Sequence, residues 1–73
     1  MKLNSEELLL LLTNNIKKYR KAKDLSQEKL ALASGIDRSS IAEIERCRAN
    51  PSLDLLLKIS NALDIEPSNL LEF

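Results

Sequence analysis

Arg38, Ser39 and Ser40 open a short polar-tipped stretch, and Glu43 follows one helical turn later. An arginine fork can donate two hydrogen bonds to O6 and N7 of a guanine edge, and a serine hydroxyl can bond a base or a phosphate. Glu43 can accept from cytosine N4, orient Arg38, or simply sit in solvent; the residue type leaves all three open. Other chemistry is poorly supplied. The chain has no histidine, one cysteine (Cys47) and one glycine (Gly35). It therefore lacks the usual proton shuttle, a glycine-rich phosphate loop and a plausible zinc set, and nothing stands ready to activate Cys47 as a nucleophile. We expect no catalytic residue, no metal and no cofactor.

Arg38 to Glu43 are useful only if neighbouring elements hold them out. Residues 26–46 supply those elements. Ser26 is a natural N-cap for a helix over Gln27 to Ser34, in which Leu30, Ala31 and Ala33 are the apolar or small positions. Gly35 then meets the need for a positive φ in a tight turn. Asp37 is placed to cap a second helix running to about Arg46, with Ile41 and Ile44 facing inward. Ala31 suits the contact between two steeply crossing helices, where only a small side chain fits. This order of small residue, glycine elbow and inward isoleucine pair predicts a helix-turn-helix. Such a motif lays its second helix in the major groove, with base edges reached from that helix's N-terminal turn.

The segment resembles the helix-turn-helix of phage repressor and Cro-type proteins, the XRE family. The match rests on Ser26-Gln27-Glu28, Leu30-Ala31, Gly35-Ile36, Ser40-Ile41, Ile44-Glu45-Arg46, Asn50-Pro51-Ser52-Leu53 and Ala62-Leu63, and extends over residues 12–71. It implies an all-α, five-helix, lambda-repressor-like DNA-binding domain with the motif at helices 2 and 3. It also implies a transcriptional regulator that binds double-stranded DNA as a homodimer on a palindromic operator. The glutamine matching Gln27 contacts phosphate in this family, and Arg46, Arg48 and Asn50 fall where similar proteins grip the backbone. Lys17 is a further candidate phosphate contact. Arg20 and Glu45 match positions that form an ion pair joining the first helix to the recognition helix. Gly35-Ile36-Asp37-Arg38 and the short length look like the controller proteins of restriction-modification systems, with Cro-like repressors and antitoxins as neighbours. Cys47 departs from the pattern, which commonly has glycine there. A left-handed backbone would cost a cysteine about 1 kcal/mol or more, so this helix end is expected to be built differently. Ser34 stands where a longer or apolar residue is more common.

Seventy-three residues allow one domain, 1–73, near the lower limit for a core without staples. Eleven basic and eleven acidic residues cancel, but not evenly along the chain. Between Ile16 and Asn50 basic residues outnumber acidic ones nine to five, and the remainder is acidic by the same margin. A dipolar domain of this kind can offer one basic face to a polyanion. Zero net charge also supports a second reading, a helix-turn-helix fold serving as a protein-interaction module (an antitoxin or adaptor). A single cysteine fits a reducing cytoplasm. The run Leu8 to Leu12 is too short to span a bilayer, and Asn4 to Glu7 are wrong for a signal peptide. No membrane or small-molecule partner is expected.

The first helix should be capped by Asn4 or Ser5 and bury Leu9, Leu12, Ile16 and Tyr19. The extra leucines 8, 10 and 11 either wrap the small core or pack on a partner subunit. A fourth helix, capped by Ser52 after Pro51, should bury Leu53, Leu56, Ile59, Ala62 and Leu63. A short fifth should start at Pro67. Ile65, Leu70, Leu71 and Phe73 are the first candidates for a dimer surface.

Overall fold

The computed structural model describes residues 2–73. Four α-helices, α1 (Ser5–Ala22), α2 (Gln27–Ser34), α3 (Arg38–Glu45) and α4 (Leu53–Ala62), precede one 3-10 helix (Pro67–Leu71), with no strand among the described residues. The expected fifth helix is thus a 3-10 turn. Its five residues cannot complete two α turns, and Asn69 instead folds back over three positions. The Asn69 N–H donates to the Glu66 carbonyl at 2.9 Å, and the Asn69 Oδ1 accepts from the Glu66 N–H at 2.9 Å.

Asn4 caps α1 in a reciprocal box with Glu7. The Ser26 hydroxyl accepts from the Lys29 N–H and that of Ser52 from the Leu55 N–H, so α2 and α4 begin as the sequence predicts. Asp37 occupies the N-cap position of α3 in extended conformation, but its carboxylate makes no capping hydrogen bond.

The four α-helices end alike. A residue in left-handed conformation follows each one, at Asp24 (φ 56), Gly35 (φ 73), Cys47 (φ 60) and Asp64 (φ 56). The next N–H then reaches back five positions: Leu25 to Arg20, Ile36 to Ala31, Arg48 to Glu43 and Ile65 to Ser60, at 2.9 to 3.1 Å. Cys47 therefore adopts the conformation that its side chain disfavours, contrary to the sequence-based expectation. The returning N–H of Arg48 and a contact of 3.0 Å between Cys47 Sγ and Thr13 Oγ1 offset the strain.

The core is aliphatic: Leu12 and Ile16 of α1, Leu30 and Ala31 of α2, Ile36, Ile41 and Ile44, Ile59 and Leu63 of α4, and Leu70. Each fully buried isoleucine contributes about 1.5–3 kcal/mol by leaving water. Leu9 and Tyr19 lie at the margin of the core rather than within it. Leu53 is exposed, because as the first residue of α4 it lies beyond the reach of the core. Leu8 and Leu10 are also exposed. Leu70, expected on a dimer surface, is only 1% exposed and fills the core of its own chain; Ile65 is half-buried, while Leu71 and Phe73 are exposed. Two polar residues of α1 are buried as well. Thr13 donates to the Leu10 carbonyl, and the Asn15 amide reaches the chain's last residues.

Candidate nucleic-acid interface

The motif is held from its turn. The Ala31 carbonyl accepts from both Gly35 and Ile36 N–H groups, and the Ile36 side chain is buried beneath the elbow. A Cβ on Gly35 would meet nothing within 4 Å, so its φ alone calls for glycine here. Ala31 is 6% exposed at the crossing of α2 and α3. Ile41 and Ile44 then anchor one face of α3, which leaves Arg38 and Ser39 exposed at its start. Ser40 and Glu43 are half-buried beside them.

A charged network fixes α3 from its other end. Arg20 grips the Glu45 carboxylate with two donors, Nε to Oε2 at 2.7 Å and Nη2 to Oε1 at 2.9 Å, while Nη1 donates to the Leu25 carbonyl. Gln27 Nε2 adds a third bond to Glu45, at 3.1 Å to Oε1. The side chains of Arg20 and Glu45 are 13% and 3% exposed, so the pair is largely removed from water. A buried carboxylate persists only with such complete pairing. Among the described residues no buried side-chain nitrogen or oxygen is left without a partner. The network ties α1, the α1–α2 loop and the first residue of α2 to the last residue of α3. Gln27 is thus half-buried with one amide proton committed to Glu45.

Glu43 faces Arg46 at 3.7 Å rather than Arg38. That exposed pair is worth little, at most about 1 kcal/mol, and leaves Arg38 unconstrained by it. A cleft of about 260 Å³ lies between Ser39, Ser40 and Glu43 of α3 and Ala49, Asn50 and Pro51 of the next loop. It brings base-contact and phosphate-contact candidates to one surface. Arg46, Arg48 and Asn50 are exposed in and beside that loop, and Lys17 is half-buried on α1.

The sequence reading missed a polar cluster on α1 next to Arg20. Asn15 Nδ2 donates to the carbonyls of Leu70 and Glu72 at 3.0 and 2.8 Å. The Tyr19 hydroxyl donates to Glu72 Oε1, which also accepts from Asn69 Nδ2. The hydrogen bond between Tyr19 and Glu72 raises the phenol pKa and lowers that of the carboxyl, the latter with help from Asn69 and Lys18. A signal was present: Asn15 interrupts the apolar face between Leu12 and Ile16, where a polar side chain needs a partner.

A recognition helix with a free polar tip, braced at both ends by a small-residue crossing and a buried ion pair, defines a helix-turn-helix DNA-binding domain. Residues 16–70 match the model of the Helix-turn-helix family, and the chain belongs to it. It is a DNA-binding transcriptional regulator of the XRE type. Control protein C.BamHI of Bacillus amyloliquefaciens is 40% identical over 70 residues, covering 94% of this chain and 86% of that protein. The solved restriction-modification controller protein C.AhdI from Aeromonas hydrophila superposes with a TM-score of 0.82 at 47% identity, covering 85% of this chain and 94% of that one. The HTH-type transcriptional regulator SinR of Bacillus subtilis (strain 168) is 38% identical over 63 residues, covering 85% of this chain and 57% of that protein.

Proposed function

We propose that residues 1–73 act in the cytoplasm as one regulatory unit, a controller-type homodimer that reads a two-fold operator and needs no cofactor, metal or catalytic step. The 3-10 segment takes the place of the fifth helix of lambda-repressor-like domains. The observation that carries the reading is the free tip of α3, with Arg38 and Ser39 exposed while Ile41, Ile44 and Glu45 lock the helix beneath them. Arg38, Ser39, Ser40 and Glu43 contact bases; Gln27, Arg46, Arg48, Asn50 and Lys17 contact phosphates. One such tip covers too few base pairs to mark a unique site, so a second copy is required, with half-sites about one helical turn apart. Leu71 and Phe73, joined by exposed Leu53 and Leu57 of α4, are the apolar groups offered to that copy, with Ile65 at the margin. Leu53, Leu57 and Leu71 line a groove of about 290 Å³ between α4 and the 3-10 helix, while Phe73 lines a separate cleft with Leu10 and Leu11 of α1.

Two substitutions separate base reading from backbone grip. Arg38→Ala should remove preference for operator over random duplex, at a cost of about 1–3 kcal/mol on the operator alone. Arg48→Ala should weaken both duplexes alike and reduce the salt dependence. Binding titrations at several salt concentrations measure both. An Arg38→Ala protein that still discriminates would refute the assignment. Binding of a protein partner through α3, with no salt-dependent DNA binding, would favour the interaction-module reading.

A further inference from the structure

A homodimer joined at residues 71–73 needs a defined angle between that interface and the reading helix α3. Residues 69–73 do not hang freely. Asn15 holds two of their carbonyls, at Leu70 and Glu72, with a single amide nitrogen. Tyr19, one turn further along the same face of α1, holds the Glu72 side chain, and Asn69 closes the cluster from within the segment. The buried Leu70 side chain pins the segment below, while its neighbours Leu71 and Phe73 are left 47% and 82% exposed. The next residue of α1, Arg20, grips Glu45 at the end of the recognition helix. Asn15 to Arg20 spans five residues of continuous helix, a rise of about 7.5 Å, and a helix is stiff on that scale. One rigid element therefore grips the apolar end segment at one point and the reading helix at the next.

We propose that Asn15 and Tyr19 are positioning residues for half-site spacing, fixing the subunit interface relative to the DNA-reading helix. This rests on the homodimer and operator reading given above. Neither side chain needs to touch DNA or the partner. Their effect is to hold Leu71 and Phe73 in one orientation, so that the two reading helices of a dimer meet one separation of half-sites. Without them, Leu70 still anchors the segment, but its last residues are free to turn. A preorganised pair of sites then becomes a loosely tethered one, and avidity falls.

The test compares the unmodified protein with Asn15→Ala and with Tyr19→Phe, the latter removing only a hydroxyl at the domain surface. Each is titrated against a single half-site, the two-fold operator at its selected spacing, and operators with base pairs inserted or removed at the centre. The proposal expects both variants to bind the half-site as the unmodified protein does. They should lose roughly ten- to a hundred-fold on the two-fold operator and accept altered spacings more evenly. Unchanged affinity and spacing preference in Tyr19→Phe would overturn it. So would an equal loss on half-site and full site, which would mark the cluster as a support of the fold only. If the unmodified protein itself gains nothing from a second half-site, the dimer reading falls, and this inference with it.

Discussion

Cys47 shows how a single residue can run against its local preference without disturbing the helix that it ends. Its left-handed φ of 60 lies close to the 56 of Asp24 and Asp64, but aspartate enters this region more readily than cysteine. Cys47→Gly should therefore stabilise the domain by about 1 kcal/mol, less whatever the Thr13 contact contributes. A gain of that size raises the melting temperature of a domain this small by about 4–8 °C. Thermal melts of Cys47→Gly and Asp24→Gly provide the comparison, with the larger rise expected for Cys47→Gly. Tyr19 offers a second residue-level check, because it is the only tyrosine. Its pKa is raised above the ordinary 10.0, chiefly by its hydrogen bond to Glu72. Absorbance titration of the phenol should give a midpoint above that value, falling toward it in Glu72→Ala. Glu72 is shifted the other way, below the ordinary 4.5, again first by the Tyr19 bond. The Glu72 contribution is thus present above the ordinary carboxyl range and lost as pH falls through the lowered value. The Tyr19 contribution is present below pH 10.0 and lost as pH rises through the raised one.

At the scale of elements, α2 and α3 depend on one crossing and one ion pair. Ala31→Leu places three more carbons where the two helices touch, an overpacking that costs about 1–3 kcal/mol and should tilt α3. Loss of operator binding beyond the loss of stability, measured by melts and titrations in parallel, is the expected result. Glu45→Ala strips two donors of Arg20 and one of Gln27 of their shared acceptor. Stranding a nearly buried guanidinium should cost about 3–5 kcal/mol, and chemical denaturation would measure it. The motif itself was legible because its signals are local: the Ser26 cap, the small Ala31, the Gly35 elbow, and Ile41 with Ile44 three residues on. What escaped reading depends on contacts between distant segments. Asn15 interrupts the apolar stripe of α1, and its partners at residues 70 and 72 lie 55 and 57 positions away in the sequence. Leu53 carries helical spacing yet stays exposed, because burial is decided by where a helix begins against its neighbours. Leu70 passed for a surface leucine for the converse reason, since the Pro67 turn that carries it folds back onto α1. The left-handed end at Cys47 was hidden because side-chain preference is outweighed by the backbone bonds from Cys47 N–H to Ile44 and from Arg48 N–H to Glu43, together with the Thr13 contact.

At the scale of the whole molecule, zero net charge conceals a division of labour. Basic residues exceed acidic ones in the stretch that carries the motif, and the acidic surplus lies toward the chain's two ends. Association with DNA should therefore weaken steeply with salt, in proportion to the phosphates contacted, while the apolar end surface is the one proposed to join two copies. Replacing exposed Leu71 and Phe73 by serine should lower the dimer mass in sedimentation without unfolding the chain, because neither residue belongs to the core. The central claim is that the tip of α3 enters a duplex groove, once per subunit of a two-fold pair. Selection of bound sequences from a random duplex pool tests it most directly. Enrichment of an inverted repeat with guanine in each arm, its centres about one helical turn apart, is the expected result. A pool that yields no enriched sequence, or one without two-fold symmetry, would contradict it.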